Sequence, residues 1–69
     1  MKRNLEIATL ELQEVRLSLA LMQIDNITEL LKDNEYKVML YGHLISMKVE
    51  LQRQLSNLTK KIDYATIEE

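Results

Sequence analysis

Residues 5–24 carry two apolar stripes on opposite sides of what reads as one helix, and no other feature limits the possible folds so sharply. At about 100° per residue, Leu5, Ala8, Leu12, Val15, Leu19 and Met22 fall on one face. Leu10, Leu17, Leu21 and Ile24 fall about 180° away, with Glu6, Thr9, Gln13, Glu14, Arg16 and Ser18 in the lanes between. A helix packed on one partner needs a single stripe. Two stripes place it between neighbours, and a chain of 69 residues is too short to supply them all. Self-association or a partner protein is therefore expected.

A strand reading competes, because Val15, Leu17, Leu19 and Leu21 alternate with the smaller or polar Arg16, Ser18 and Ala20. Alternation also arises whenever a helix is apolar on opposite faces. No Gly, Asn or Asp interrupts Leu5–Ile24, and the Leu, Glu, Gln, Lys, Met and Ala content favours helix throughout. With no proline and one glycine, little breaks regular structure.

Residues 4–32 read as one helical segment and 35–62 as a second. Between them, Asp33 and Asn34 favour a turn and a helix N-cap, with Lys32 placed for a helix C-terminus and Glu35 for an N-terminus. Matched lengths around a two-residue break give an antiparallel helical hairpin. The competing break is Asp25-Asn26, where Asn26 with Glu29 resembles a capping box and would open a short middle helix over residues 27–32. The fold class expected is all-α, two long helices with or without that middle helix, assembling into a helical bundle. It forms a single domain over 1–69, with residues 63–69 as a frayed acidic tail.

The second segment has one clean stripe: Tyr36, Leu40, Leu44, Met47, Leu51, Leu55, Leu58, Ile62 and Ala65, spaced by three and four as in coiled-coil packing. Its first half has another patch, Val38, Ile45 and Val49 around Gly42, which turns polar beyond Val49. Leu12 and Leu19 match the heptad of the second segment and are expected to hold the hairpin. Leu10, Leu17, Leu21 and Ile24, with Val38, Gly42, Ile45 and Val49, are expected to form the oligomer interface, Gly42 allowing close approach of helices. Asn26 either caps a helix or continues the Leu5–Met22 stripe as a polar residue that fixes register.

Composition narrows the function classes. The absence of cysteine rules out disulfides and thiolate metal sites, and fits a reducing compartment. A net charge of −2 with both signs interspersed gives no general attraction to nucleic acid or acidic membranes. Lys48, Arg53, Lys60 and Lys61 are interrupted by Glu50 and Asp63, which makes a solvated face rather than a duplex-binding stripe. The longest apolar run is far short of a membrane span, and the basic start is followed by Glu6 and Glu11, unlike a secretory signal. A cytoplasmic location is expected.

No catalytic motif, no cofactor-binding motif and no metal-ligand spacing is present, and the lone His43 lacks partners for a metal site. Tyr36, Tyr41, His43 and Arg53 are the candidate contacts for a partner or ligand, since tyrosine and arginine combine apolar area with polar tips. The leading expectation is a non-enzymatic helical interaction protein that self-associates and binds a partner protein, as a regulator, inhibitor or adaptor of the kind a phage or mobile element carries. The alternative is an oligomer that sequesters a small anionic molecule between Tyr, Arg and Lys side chains of neighbouring copies. Nucleic-acid binding by the second helix ranks third.

Overall fold

The computed structural model describes Lys2–Ile67 and consists of two antiparallel helices, α1 (Lys2–Leu30) and α2 (Lys37–Ile67). The helices meet along their length to form a hairpin, a rod with extents of 52 × 15 × 12 Å. Its radius of gyration is 15.9 Å, whereas a compact domain of this length has about 11 Å.

The connection runs over residues 31–36 around Asp33-Asn34, longer than the two-residue break expected, because α1 ends at Leu30 and α2 begins at Lys37. The Asn34 side-chain Oδ1 accepts a hydrogen bond from the Tyr36 backbone N–H at 2.8 Å, and the Lys37 N–H donates to the Asn34 carbonyl at 3.2 Å. Asn34 thereby satisfies donors at the start of α2 that have no partner within the helix. At the other side of the turn, the Leu31 N–H reaches the carbonyls of both Ile27 and Thr28, and the Asn34 N–H closes on Leu31. The competing break at Asp25-Asn26 is not made. Helix α1 runs through both residues, so there is no middle helix, and Asn26 is an exposed residue in the body of α1 rather than a cap. Helix α2 runs to Ile67, with Ala65 half-buried and the Thr66 hydroxyl bonded to the Ile62 carbonyl. Residues 68 and 69 of the acidic tail lie outside the described residues.

Two long-range contacts fix the register. Lys48 Nζ lies 2.9 Å from Asp25 Oδ1, and the Thr59 hydroxyl lies 3.2 Å from Glu14 Oε2. That hydroxyl also lies 2.9 Å from the Leu55 carbonyl, so two acceptors compete for one proton. Nearer the turn, the Tyr41 hydroxyl donates to the Thr28 carbonyl at 3.2 Å. The Asp25–Lys48 pair is exposed and contributes about 0–1 kcal/mol. The seam between the helices is held by apolar packing.

That packing corrects the assignment of the two stripes. Burial beyond a helix's own turns can come only from the other helix, and on α1 it falls on Ile7, Leu10, Glu14, Leu17, Ala20, Leu21, Ile24, Thr28 and Leu31. Leu10, Leu17, Leu21 and Ile24, expected at the oligomer interface, instead face α2, and Ile24 is only 4% exposed. Leu12 and Leu19, expected to hold the hairpin, stand in solvent at 51% and 50%. The physical reason lies at the turn. The stripe through Ile24 continues to the connection in half-buried Thr28 and Leu31, and the Thr28 hydroxyl donates to the Ile24 carbonyl at 2.8 Å, so its polar group is satisfied within the helix. The stripe through Leu19 and Met22 gives way to Asn26.

On α2 the seam is the expected stripe with two departures. Leu40, Leu44, Leu51, Leu55, Leu58, Ile62 and Ala65 are buried or half-buried, whereas Tyr36 and Met47 are exposed and Tyr41 and Lys48 take seam positions. Among the described residues whose burial is known, Ile24 and Leu58 alone are buried apolar side chains, at 4% and 7% exposure.

Candidate interaction surface

The hairpin leaves a long apolar stripe uncovered. Leu5, Leu12, Val15, Leu19 and Met22 are each at least half exposed, with Ala8 exposed between them, and they line the side of α1 turned away from α2. Their three-and-four spacing extends over 18 residues, about 26 Å of helix from Leu5 to Met22. On α2, Val38, Ile45 and Val49 are exposed, Val38 at 81%. With Asp25 level with Lys48, the Val38–Val49 patch lies beside the loop-proximal end of α1, where the α1 stripe has ended. The α1 stripe runs from Leu5 to Met22, and the α2 patch lies level with the part of α1 beyond it, where Ile27 and Leu30 are also exposed.

The total accessible surface is 5625 Å², against about 4,500 Å² for a typical folded monomer of 8.1 kDa. Contiguous apolar patches beyond a few hundred Å² are uncommon on monomers and mark surfaces that bind something. The single glycine belongs to this surface. A Cβ added at Gly42 would meet nothing within 4 Å, so the close helix approach anticipated there does not occur within the chain. Gly42 sits instead on the exposed α2 patch, where a missing side chain leaves a shallow notch.

The remaining candidate contacts are scattered. Tyr36 is exposed beside the turn, Tyr41 is half-buried with its hydroxyl committed to Thr28, and His43 is exposed. Arg53 donates to both oxygens of Glu50, Nε to Oε1 at 3.0 Å and Nη2 to Oε2 at 2.6 Å, and Gln54 donates to Oε2 at 2.8 Å. Hydrogen bonding to Arg53 first, and to Gln54 next, holds the Glu50 carboxyl below its ordinary range; the same pairing raises Arg53. These four candidates do not converge on one site. A cavity of about 160 Å³ between the helices is lined by Ile24, Asp25, Thr28, Tyr41, Leu44, Ile45 and Lys48. That is below the range of about 300–1,000 Å³ typical of small-molecule sites, and its one cation is paired with Asp25.

Among the described residues, no group of three His, Asp or Glu side chains is arranged to hold a metal ion. No described helix is long and apolar enough to cross a membrane. No family model, no curated protein and no solved structure matches this chain.

Of the residues expected at an oligomer interface, half are exposed in the hairpin and half are covered by it. Val38, Gly42, Ile45 and Val49 are exposed as an interface requires, whereas Leu10, Leu17, Leu21 and Ile24 are spent on the hairpin. The residues missed as surface candidates are Leu5, Leu12, Val15, Leu19 and Met22, together with Leu30 and Met39. The signal that could have found the first five is the polar Asn26 at the loop-proximal end of their stripe.

Proposed function

We propose that this chain is a non-enzymatic helical interaction protein that self-associates through the outer face of α1 and acts by occupying the surface of a partner protein. The observation that carries the reading is the regular apolar stripe Leu5–Met22 standing in solvent on a hairpin whose buried core, among the described residues, is Ile24 and Leu58. A chain this small is stabilised marginally by its internal seam, and covering the stripe with another helix adds burial worth about 1.5–3 kcal/mol per large side chain. The patch around Gly42 on α2 provides a second, separate surface for the partner. Sequestration of an anionic molecule draws less support, because Arg53 and Lys48 are each engaged by a carboxylate of the same chain.

The test is affinity capture from the source cell lysate with the wild-type chain and with Ile45→Glu/Val49→Glu immobilised in parallel. Mass spectrometry then follows the protein and small-molecule fractions. One protein retained by the wild type at physiological salt and lost from the variant is the expected outcome. Retention of a small anion, or of nucleic acid released by moderate salt, with no protein partner would overturn the reading.

A further inference from the structure

The outer face of α1 has more than apolar spacing; it also specifies how a second copy lies on it. Leu5, Ala8, Leu12, Val15, Leu19 and Met22 follow a three-and-four pattern, and Asn26 occupies the next position of the same pattern. Residues immediately before and after such a seam flank the helix–helix contact and set orientation by their charges. Here the flanking charges nearest the middle of the stripe are Glu11, which precedes Leu12, and Arg16, which follows Val15. The ion pairs among the described residues join Glu29 to Lys32, Asp25 to Lys48 and Glu50 to Arg53. Neither Glu11 nor Arg16 takes part in them.

Two orientations of a second α1 can be compared. In an antiparallel pair centred on the stripe, Leu12 meets Val15 of the other copy, Glu11 comes opposite Ser18, and Arg16 comes opposite Thr9. No charge is paired, and each Asn26 lies beyond the end of the seam. In a parallel, in-register pair, a residue preceding the seam on one helix reaches the residue five positions further on along the other. Glu11 of each copy then meets Arg16 of the other, twice by the two-fold symmetry. The two Asn26 side chains face each other across the axis, where each amide can donate to the other and accept from it. A polar residue at one such position fixes register at some cost in apolar contact.

We infer that the chain forms a parallel, in-register homodimer through α1, with Glu11–Arg16 pairs crossing the interface, Asn26 against Asn26 as its register pin, and both turns at the same end. This rests on the self-association proposed above and adds its orientation and register. The α2 patch around Gly42 stays outside the α1–α1 contact.

The chain has no cysteine, so single substitutions report cleanly on geometry. Wild-type mass is measured first by sedimentation equilibrium at micromolar concentration. Asn26→Cys is then oxidised under the same conditions, and separately a mixture of Leu5→Cys and Met22→Cys chains is oxidised. In the parallel pair the two copies of position 26 adjoin, and oxidation yields a covalent Asn26→Cys dimer. Positions 5 and 22 are then about 25 Å apart along the axis, so no mixed disulfide forms. In the antiparallel pair position 26 is about 37 Å from its counterpart, and the 5–22 mixed disulfide forms instead. A wild-type dimer that links at 26 and not between 5 and 22 supports the inference. A dimer with the 5–22 disulfide, or with neither, overturns the orientation and leaves self-association standing. A monomeric wild type overturns self-association itself.

Discussion

The two sides of α1 share one spacing and have opposite fates. Ile7, Leu10, Leu17, Leu21 and Ile24 are covered by α2, while Leu5, Leu12, Val15, Leu19 and Met22, two positions out of phase with them, are left in water. Neither set is more helical or more regular than the other. What separates them is how far each extends toward the turn. The covered set continues through Thr28 and Leu31 to the connection, and the uncovered set stops at Met22 before Asn26. A hairpin selects the stripe that reaches its turn. The other is left in solvent, where we propose that a second chain covers it.

Substitutions on the two sides sharpen this contrast most. Leu17→Glu/Leu21→Glu places two carboxylates in the seam beside Leu58, in a fold whose large stabilising term is that seam. Each leucine is half-buried and contributes part of the about 1.5–3 kcal/mol of full burial, and the charge adds a desolvation cost. Against a total stability at the low end of about 5–15 kcal/mol, the double variant is expected to lose its helical circular dichroism signal at 25 °C. Retention of full helicity would mean that this side is not the seam.

Leu12→Glu/Leu19→Glu should act differently in kind. These side chains are half exposed in the hairpin, so the variant is expected to lower the molecular mass to that of one chain while keeping a substantial part of its helicity. Dissociation also removes the stabilisation that association lends, so its melting temperature should fall and cease to depend on concentration. Unchanged mass would move the interface elsewhere.

The turn and the α2 patch yield smaller effects. Asn34→Ala removes the side-chain acceptor for the Tyr36 N–H and is expected to cost about 1 kcal/mol by chemical denaturation. Gly42→Ala meets open space within the chain, so helix propensity alone should stabilise it by about 1 kcal/mol. For a domain of this size that raises the melting temperature by about 4–8 °C. If the variant also loses a captured partner protein, the notch at Gly42 is part of the docking surface.

The smallest effect concerns Glu50. Its carboxyl is held below the ordinary range by Arg53 and Gln54, so its contribution is complete above the pKa of the unfolded chain. It is lost as pH falls through the depressed value in the fold. The pair is solvent-exposed on α2, away from the α1 stripes, and screening makes its contribution slight. Melting curves of wild type and Glu50→Gln should therefore coincide at low pH and separate only slightly at neutral pH. A large separation at neutral pH would place the pair at a buried contact in the assembly.

The helices, the absence of strands and the turn at Asp33-Asn34 were legible in the sequence, because propensity, period and capping chemistry all act locally. The α2 seam was legible for the same reason: its stripe from Leu40 to Ala65 has no full-length rival. The azimuth of α1 was not, since periodicity gives the angle between stripes but not which one meets α2. Tyr36 and Met47 were misplaced by the same few tens of degrees that put Tyr41 and Lys48 in the seam. On the surface, Val38, Gly42, Ile45 and Val49 could be found because the α2 stripe had already claimed the other side. Leu10, Leu17, Leu21 and Ile24 could not be separated from their rivals without asking which stripe reaches the turn.

Sedimentation equilibrium of the wild-type chain across a micromolar range tests most directly whether the outer face of α1 is an interface. A mass of at least twice 8.1 kDa is expected, falling to one chain for Leu12→Glu/Leu19→Glu. A wild type that stays at 8.1 kDa, folded and soluble at the highest concentrations, would contradict it.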